Sequence, residues 1–224
     1  MFHVSTDWNP KQAKLRELIL SPDRFDEAMQ LCFELHSIVH CSVVSQGKKE
    51  TLFDEIWEGL TKEVFMAMPT LKDVTIAWNI WHITRIEDVV TNTLMAETGC
   101  VLDDEWLERL SVGVRDTGNA MTDDEIISFS ASVNMEELRN YRNAVGIRTR
   151  EVLSAFSAPD MRRKVKKEST QRILTEGGVT SHADSIWLLD FWGAKNIAGL
   201  ILMPITRHQI MHLNDCIKLK KGLL

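Results

Sequence analysis

Apolar residues recur at spacings of three and four along most of this chain, and the two-residue alternation of a half-buried strand is nearly absent. Phe25, Ala28, Met29, Cys32, Leu35 and Val39 form one stripe, which predicts a helix from about Pro22 to His40 with Ser21 as N-cap. A shorter amphipathic segment follows over about Leu52–Met68, closed by Pro69. Over about Thr70–Thr98, Val74, Trp78, Trp81, Ile83, Ile86, Val90 and Leu94 leave the helix apolar most of the way round, the pattern of a helix packed on several sides. Gly99 is the expected residue just past its end.

Residues 103–125 read as an acidic, loop-rich connection holding eight Asp or Glu residues, with Asp116-Thr117-Gly118-Asn119 as a turn signal. Thr122 and Glu125 read as a capping box opening a short helix. A third long helix is expected over about Asn134–Phe156, with Asn134 and Glu137 at its start and Pro159 beyond its end. A basic run, Arg162-Arg163-Lys164-Val165-Lys166-Lys167 with Arg172 behind it, leads to Gly177-Gly178. It reads first as a solvated connection and second as an attractor for an acidic substrate. An apolar stretch, Ser185–Leu202, precedes a last helix expected to start near Pro204. Together these elements predict an all-α, up-down four-helix bundle with long crossover connections and extra short helices.

At 224 residues the chain is long enough for one large domain, taken as 1–224. The net charge of −6 argues against a general nucleic-acid binder. No apolar run approaches a membrane span, and the N-terminal stretch lacks the features of a secretory signal. Cys32, Cys41, Cys100 and Cys216 have no paired spacing, which fits reduced thiols in the cytoplasm.

The chemistry-bearing signal is histidine spacing. Of seven histidines, His36/His40 and His208/His212 fall four apart, where roughly 0.2 such pairs would arise by chance placement. On a helix such pairs share a face and can grip one metal ion. His82, in Trp81-His82-Ile83-Thr84-Arg85, is the candidate third ligand for His208/His212. Three imidazoles with an open position make a catalytic pattern suited to zinc, nickel, iron or copper. Trp78, Trp81, Trp187 and Trp192 are candidates for a pocket wall, although aromatics at helical spacing more often fill the core.

The segment Trp81-His82-Ile83-Thr84-Arg85-Ile86-Glu87-Asp88, the His208-x-x-x-His212 pair and the order of helices resemble the DinB-like family of four-helix bundles. The resemblance spans about residues 22–216. It implies that His82, His208 and His212 bind a divalent metal, with zinc or nickel the expected ions. It also implies thiol-dependent S-transfer or isomerisation with a low-molecular-weight thiol on a small-molecule substrate, or hydrolysis by water; a non-catalytic, stress-related binding bundle is the alternative. The chain departs from the family in carrying inserts at about 45–70 and 103–130, and in carrying His36 and His40, which helix order could bring toward the metal. Asp215, Glu87 and Asp88 are candidates to orient the ligands. Arg85 and Arg207 are candidates to hold an anionic group. Bundles of this kind commonly dimerise, so a homodimer is an expectation, although no decisive interface stripe stands out.

Overall fold

The computed structural model describes residues 2–47, 50–69 and 74–223. Helices account for its regular structure: α1 (Asn9–Leu18), α2 (Phe25–Val39), α3 (Leu52–Trp57), α4 (Lys62–Met66), α5 (Ile76–Asp88), α6 (Asp104–Leu110), α7 (Asp123–Ser132), α8 (Met135–Ser154), α9 (Lys167–Thr175), α10 (Ala183–Gly193) and α11 (His208–Leu223). Among the described residues there is no strand, only an isolated bridge between Lys164 and Asn196. Among the described residues no helix is long and apolar enough to cross a membrane.

Four long rods build the bundle: α2, α5, α8 and α11. The second and fourth are longer than their α-helical cores. Wide π-turns over Val89–Ala96 prolong α5, and Ile197–Leu200 followed by wide turns over Ile201–Arg207 leads without a break into α11. α5 packs against both α8 and α11, and every residue of Ile76–Asp88 except Trp78 is buried. This agrees with its all-round apolar pattern, and it also places seven polar or charged side chains (Asn79, His82, Thr84, Arg85, Glu87, Asp88 and the capping Thr75) inside the protein. Buried polar groups persist only when partnered, and those partners position the site described below.

Local signals explain most boundaries. Thr122 and Glu125 make the expected capping box, and Asn134 accepts from the Glu137 N–H. The expected 52–68 segment divides into α3 and α4, each capped by its own threonine, Thr51 and Thr61. Ser21 lies before Pro22 in the expected place, but its side chain makes no capping bond. The expected helix start at Thr70 lies outside the described residues.

Two boundaries differ from expectation. The second rod ends at Ala96, with Glu97 rather than Gly99 just beyond it in the left-handed region (φ 59°). Thr98 N–H closes the end onto Asn92 O at 2.8 Å. Arg163 and Lys166 hold the Glu97 carboxylate at 3.1 and 2.6 Å, contacts that offset the strain of a non-glycine residue there. Part of the basic run is therefore tied to a helix end rather than free in solvent. The last rod does not start near Pro204 but passes through it. A proline lacks the N–H that an α-turn needs, and the wide turn accommodates it. Thr206 Oγ1 donates to Ile201 O (2.8 Å) and Gln209 Nε2 to Pro204 O (3.2 Å), side-chain bonds that brace the turns around the proline.

Candidate metal centre

α5 binds the 115–118 loop by one face. Trp78, Trp81, His82 and Arg85 follow the i, i+3, i+4, i+7 pattern of one helix stripe. Between them they donate to four successive backbone carbonyls: Arg85 Nε to Arg115 O (2.9 Å), Trp81 Nε1 to Asp116 O (3.1 Å), His82 Nδ1 to Thr117 O (2.7 Å) and Trp78 Nε1 to Gly118 O (3.1 Å). Gly118 has φ +76°, and a Cβ there would stand 2.9 Å from Trp78 Nε1, so both its conformation and the close approach call for glycine. Trp78 also lies flat on the His82 ring, centroids 4.6 Å apart and planes 9° off parallel.

These contacts fix the chemistry of His82. A carbonyl only accepts, so Nδ1 carries the proton and Nε2 presents a bare lone pair. The same reasoning fixes His212, whose Nδ1 meets Asn79 Oδ1 at 2.7 Å. Asn79 Nδ2 donates to Thr75 O (2.9 Å), which sets the amide with its oxygen toward His212. His212 Nδ1 is therefore the donor, and its Nε2 is bare as well. His208 completes the group, with its Nε2 3.2 Å from that of His82.

One nitrogen from each of the three rings lies within 4.8 Å of one from each of the others. Metal–nitrogen bonds of about 2.0–2.1 Å place neighbouring ligand atoms roughly 2.9–3.4 Å apart, which the His82–His208 separation matches. Two of the three rings have the orienting acceptor that metal-bound histidines use. His208 Nδ1 is buried with no partner among the described residues. Burial lowers the pKa of His82 to about 3, with His212 adding to the effect, and that of His212 to about 4, against a pull from Asp215. His208 falls well below the ordinary value, chiefly by burial and then by its two neighbours. All three rings are neutral at pH 7, as metal ligands must be. The residues fit a divalent ion.

The histidines open onto a cleft of about 430 Å³. Trp78 and Ile86 form one wall, and Trp187, Leu188, Phe191 and Trp192 of α10 form the other. Met203 and Pro204 complete the apolar lining, and Asn119 adds a carboxamide. Three of the four candidate tryptophans line this cleft, while Trp81 is fully buried core.

His36 and His40 form a separate group. On α2 their rings stack at 4.2 Å, and both face Glu87: His36 Nε2 to Oε1 at 3.0 Å, His40 Nε2 to Oε2 at 2.9 Å. All three side chains are fully buried. Burial pushes His40 down to about 3, with Glu87 pulling the other way. Burial also works against ionisation of Glu87, but His40 and the two imidazole N–H donors outweigh it, and the carboxyl is held well below its usual range. A metal could sit here too on atom spacing alone. The hydrogen-bonded state explains the contacts more fully: each Nε2–H is donated to the carboxylate, while a metal would leave two buried Nδ1–H donors with no acceptor among the described residues.

The remaining candidates take other places. Glu87 and Asp88 are buried rather than exposed, and neither touches the three histidines. Asp88 accepts from Tyr141 Oη (2.6 Å), Arg85 Nη1 (2.8 Å), the Val101 and Leu102 N–H groups and Asn92. Arg85 is locked in that network and does not line the cleft. Arg207 and Asp215 are exposed, and Asp215 pairs with Lys218 at 2.9 Å. The orienting groups of the site are instead Asn79 and the Thr117 carbonyl. An asparagine among apolar neighbours in a fully packed helix was the available signal for the first.

The DinB superfamily sequence profile matches residues 48–216. The chain belongs to the DinB superfamily. No curated protein matches it by sequence. Its fold is similar to that in a crystal structure of a conserved protein from Enterococcus faecalis, at 15% identity and a TM-score of 0.56, over 86% of this chain and 94% of that one. The all-α bundle expected from helical periodicity, and the DinB-like form that the motif resemblance implied, are thus the architecture of this protein, and its histidines make a candidate metal site.

Proposed function

We propose that this DinB-superfamily protein is a divalent-metal-dependent enzyme, in which His82, His208 and His212 hold the ion and the adjoining cleft takes a small-molecule substrate. The convergence of three neutral imidazoles, two of them with Nε2 bared by a fixed Nδ1 hydrogen bond, on one end of an apolar cleft carries this reading. A bound zinc or nickel ion would supply Lewis-acid chemistry, lowering the pKa of a water or thiol. S-transfer or isomerisation with a low-molecular-weight thiol and hydrolysis with water are the two reaction classes. Thr117 O and Asn79 hold the His82 and His212 tautomers, the Trp78 face stops the His82 ring from turning, and the aromatic walls exclude bulk water. A cytoplasmic setting, where Cys32, Cys41, Cys100 and Cys216 stay reduced, completes the proposal.

One observation favours a second reading. Apart from the histidines, no acid or base lines the cleft among the described residues, which also suits a non-catalytic bundle that binds metal or a small ligand. Metal content measured after dialysis of the purified protein tests the site. One ion per chain, lost in His82→Ala and in His208→Ala, supports it; substoichiometric metal unchanged in both variants sinks it. Turnover of an electrophile with thiols or with water then separates enzyme from binding module.

A further inference from the structure

The cleft carries no fixed charge. Its walls are Trp78, Ile86, Trp187, Leu188, Phe191 and Trp192, and among the described residues its only polar side chains are Asn119 and the histidines. The charges that could have served it are committed elsewhere or exposed. Arg85 is held by Asp88 and Tyr141, Arg207 is exposed, and Asp215 is paired with Lys218. Lys195 places its ammonium 3.9 Å from the centre of the Phe191 ring and is not part of the lining.

The polar edges of two tryptophans are also spent. Trp78 Nε1 donates to Gly118 O at 3.1 Å, and Trp187 Nε1 to Asp184 O at 3.0 Å. What these indoles offer a ligand is π-face and apolar edge. The Asn119 oxygen already accepts from Thr117 Oγ1 (2.7 Å), which leaves the amide N–H donors for a ligand. Trp187 keeps 48% of its surface exposed and stands edge-to-face with Phe191 at 5.7 Å, a large apolar side chain left open at the mouth.

We propose that the cleft selects ring-bearing molecules that present one lone-pair atom to the three-histidine end and lay an uncharged aromatic body between Trp78 and the Trp187–Phe191 wall. The proposal rests on the metal reading above for the lone-pair atom, and on the wall composition alone for the aromatic body. Away from the three-histidine end, a charged substituent between the aromatic walls would leave its solvation shell with no countercharge among the lining side chains, and that loss is large in an apolar cleft. A neutral arene loses little solvation and gains stacking and burial. A substrate so chosen is an electrophile with an apolar body rather than one carrying a phosphate or carboxylate between the aromatic walls.

Calorimetric titration of the cobalt-substituted protein at pH 7.5 with three probes tests this. They are imidazole, 4-phenylimidazole and the anion 4-(imidazol-4-yl)benzoate, whose carboxylate lies too far from its ring nitrogens to chelate, with the cobalt absorption bands reporting ligation. The expected order is 4-phenylimidazole at least tenfold tighter than imidazole, and the benzoate weaker than 4-phenylimidazole. Trp187→Ala should remove most of the tenfold gain and leave the affinity for imidazole within about twofold. A phenyl group worth less than twofold, or preference for the anion, overturns the proposal. If no cobalt spectrum develops, the metal reading fails by itself. The aromatic part is then decided in the metal-free protein: saturable binding of 4-phenylimidazole weakened by Trp187→Ala upholds it, and absence of binding ends it.

Discussion

Acidifying the metal-free protein from pH 7.5 to 5.5 should cost it about 4 kcal/mol of stability through three buried histidines alone. Burial holds His40 and His82 at about 3 and His212 at about 4, against about 6.5 in an unfolded chain. The sign follows from which state takes up protons. Between pH 6.5 and the folded values the unfolded chain is protonated and the folded one is not, so falling pH favours unfolding. At pH 5.5, one unit below 6.5, each group contributes about 1.4 kcal/mol, and protonation of the separated rings in the unfolded chain is additive. Glu87, whose folded pKa is lowered, acts with the same sign only below its ordinary value of 4.5, so this pH window belongs to histidine. A loss of this size is about a quarter to four-fifths of a typical domain's stability of about 5–15 kcal/mol. Urea unfolding at both pH values with a chelator present measures it, and the His82→Asn/His212→Asn double variant should shrink the pH dependence by about 3 kcal/mol. A stability constant to within about 1 kcal/mol would refute the reasoning, because it would mean that the rings take up protons inside the folded protein.

Asn79→Ala removes the acceptor that holds His212 Nδ1–H, and should weaken metal affinity by about 10–100-fold; Asn79→Asp, which keeps an acceptor, should restore it, as read by competition with a chromophoric chelator. Gly146→Ala sets two effects against each other. Alanine gains about 0.5–1 kcal/mol in a helix interior, but its Cβ would stand 2.6 Å from His40 Nδ1 and 2.9 Å from Cε1, on a ring clamped by Glu87. Overpacking of this kind costs about 1–3 kcal/mol, so the urea midpoint should fall, and a rise would show that the His40 ring moves aside freely.

The helices were legible because burial of an apolar stripe leaves a period in the sequence, as in Phe25–Val39. His82, His208 and His212 were legible for a related reason: i, i+4 spacing on one helix survives any tertiary arrangement, and His82 lay on the one segment apolar all round. The groups that set their tautomers were harder to read. Thr117 contributes a backbone carbonyl, which every residue type supplies equally, and only the turn signal at 116–119 marked the loop. Glu87, Asp88 and Arg85, candidates to orient the ligands or hold an anion, carried no mark of their actual places, because a helical charge reads the same in sequence whether it faces solvent, a partner or a ligand. Here each finds its partners on other elements or on its own turn: Glu87 on α2, and Asp88 on α8, the 101–102 backbone and Arg85. The helix ends at Glu97 and through Pro204 departed from rule because distant basic side chains and a wide turn offset the local preference.

The two histidine groups share one device. Arg142 of α8 is fully buried and lowered to about 10 by burial, with Glu87 opposing the shift, so it stays charged at neutral pH as the countercharge of Glu87. Its guanidinium donates to Val39 O at 2.8 Å, Thr84 Oγ1 at 3.1 Å and Gln209 Oε1 at 2.9 Å, tying α2, α5 and α11 together. Gln209 then donates to Ile83 O at 3.0 Å. Gln209 follows His208 in sequence and Ile83 follows His82, so this one amide fixes the spacing of the two rods beside the pair of Nε2 atoms that lie 3.2 Å apart. Buried ionic groups are seldom the cheapest way to stabilise a core. The position of this network accounts for it better. It holds three rods in register where the bare His82 Nε2 and the His208 Nε2 lie 3.2 Å apart, the approach that one shared cation, or a proton donated from His208 Nε2, requires.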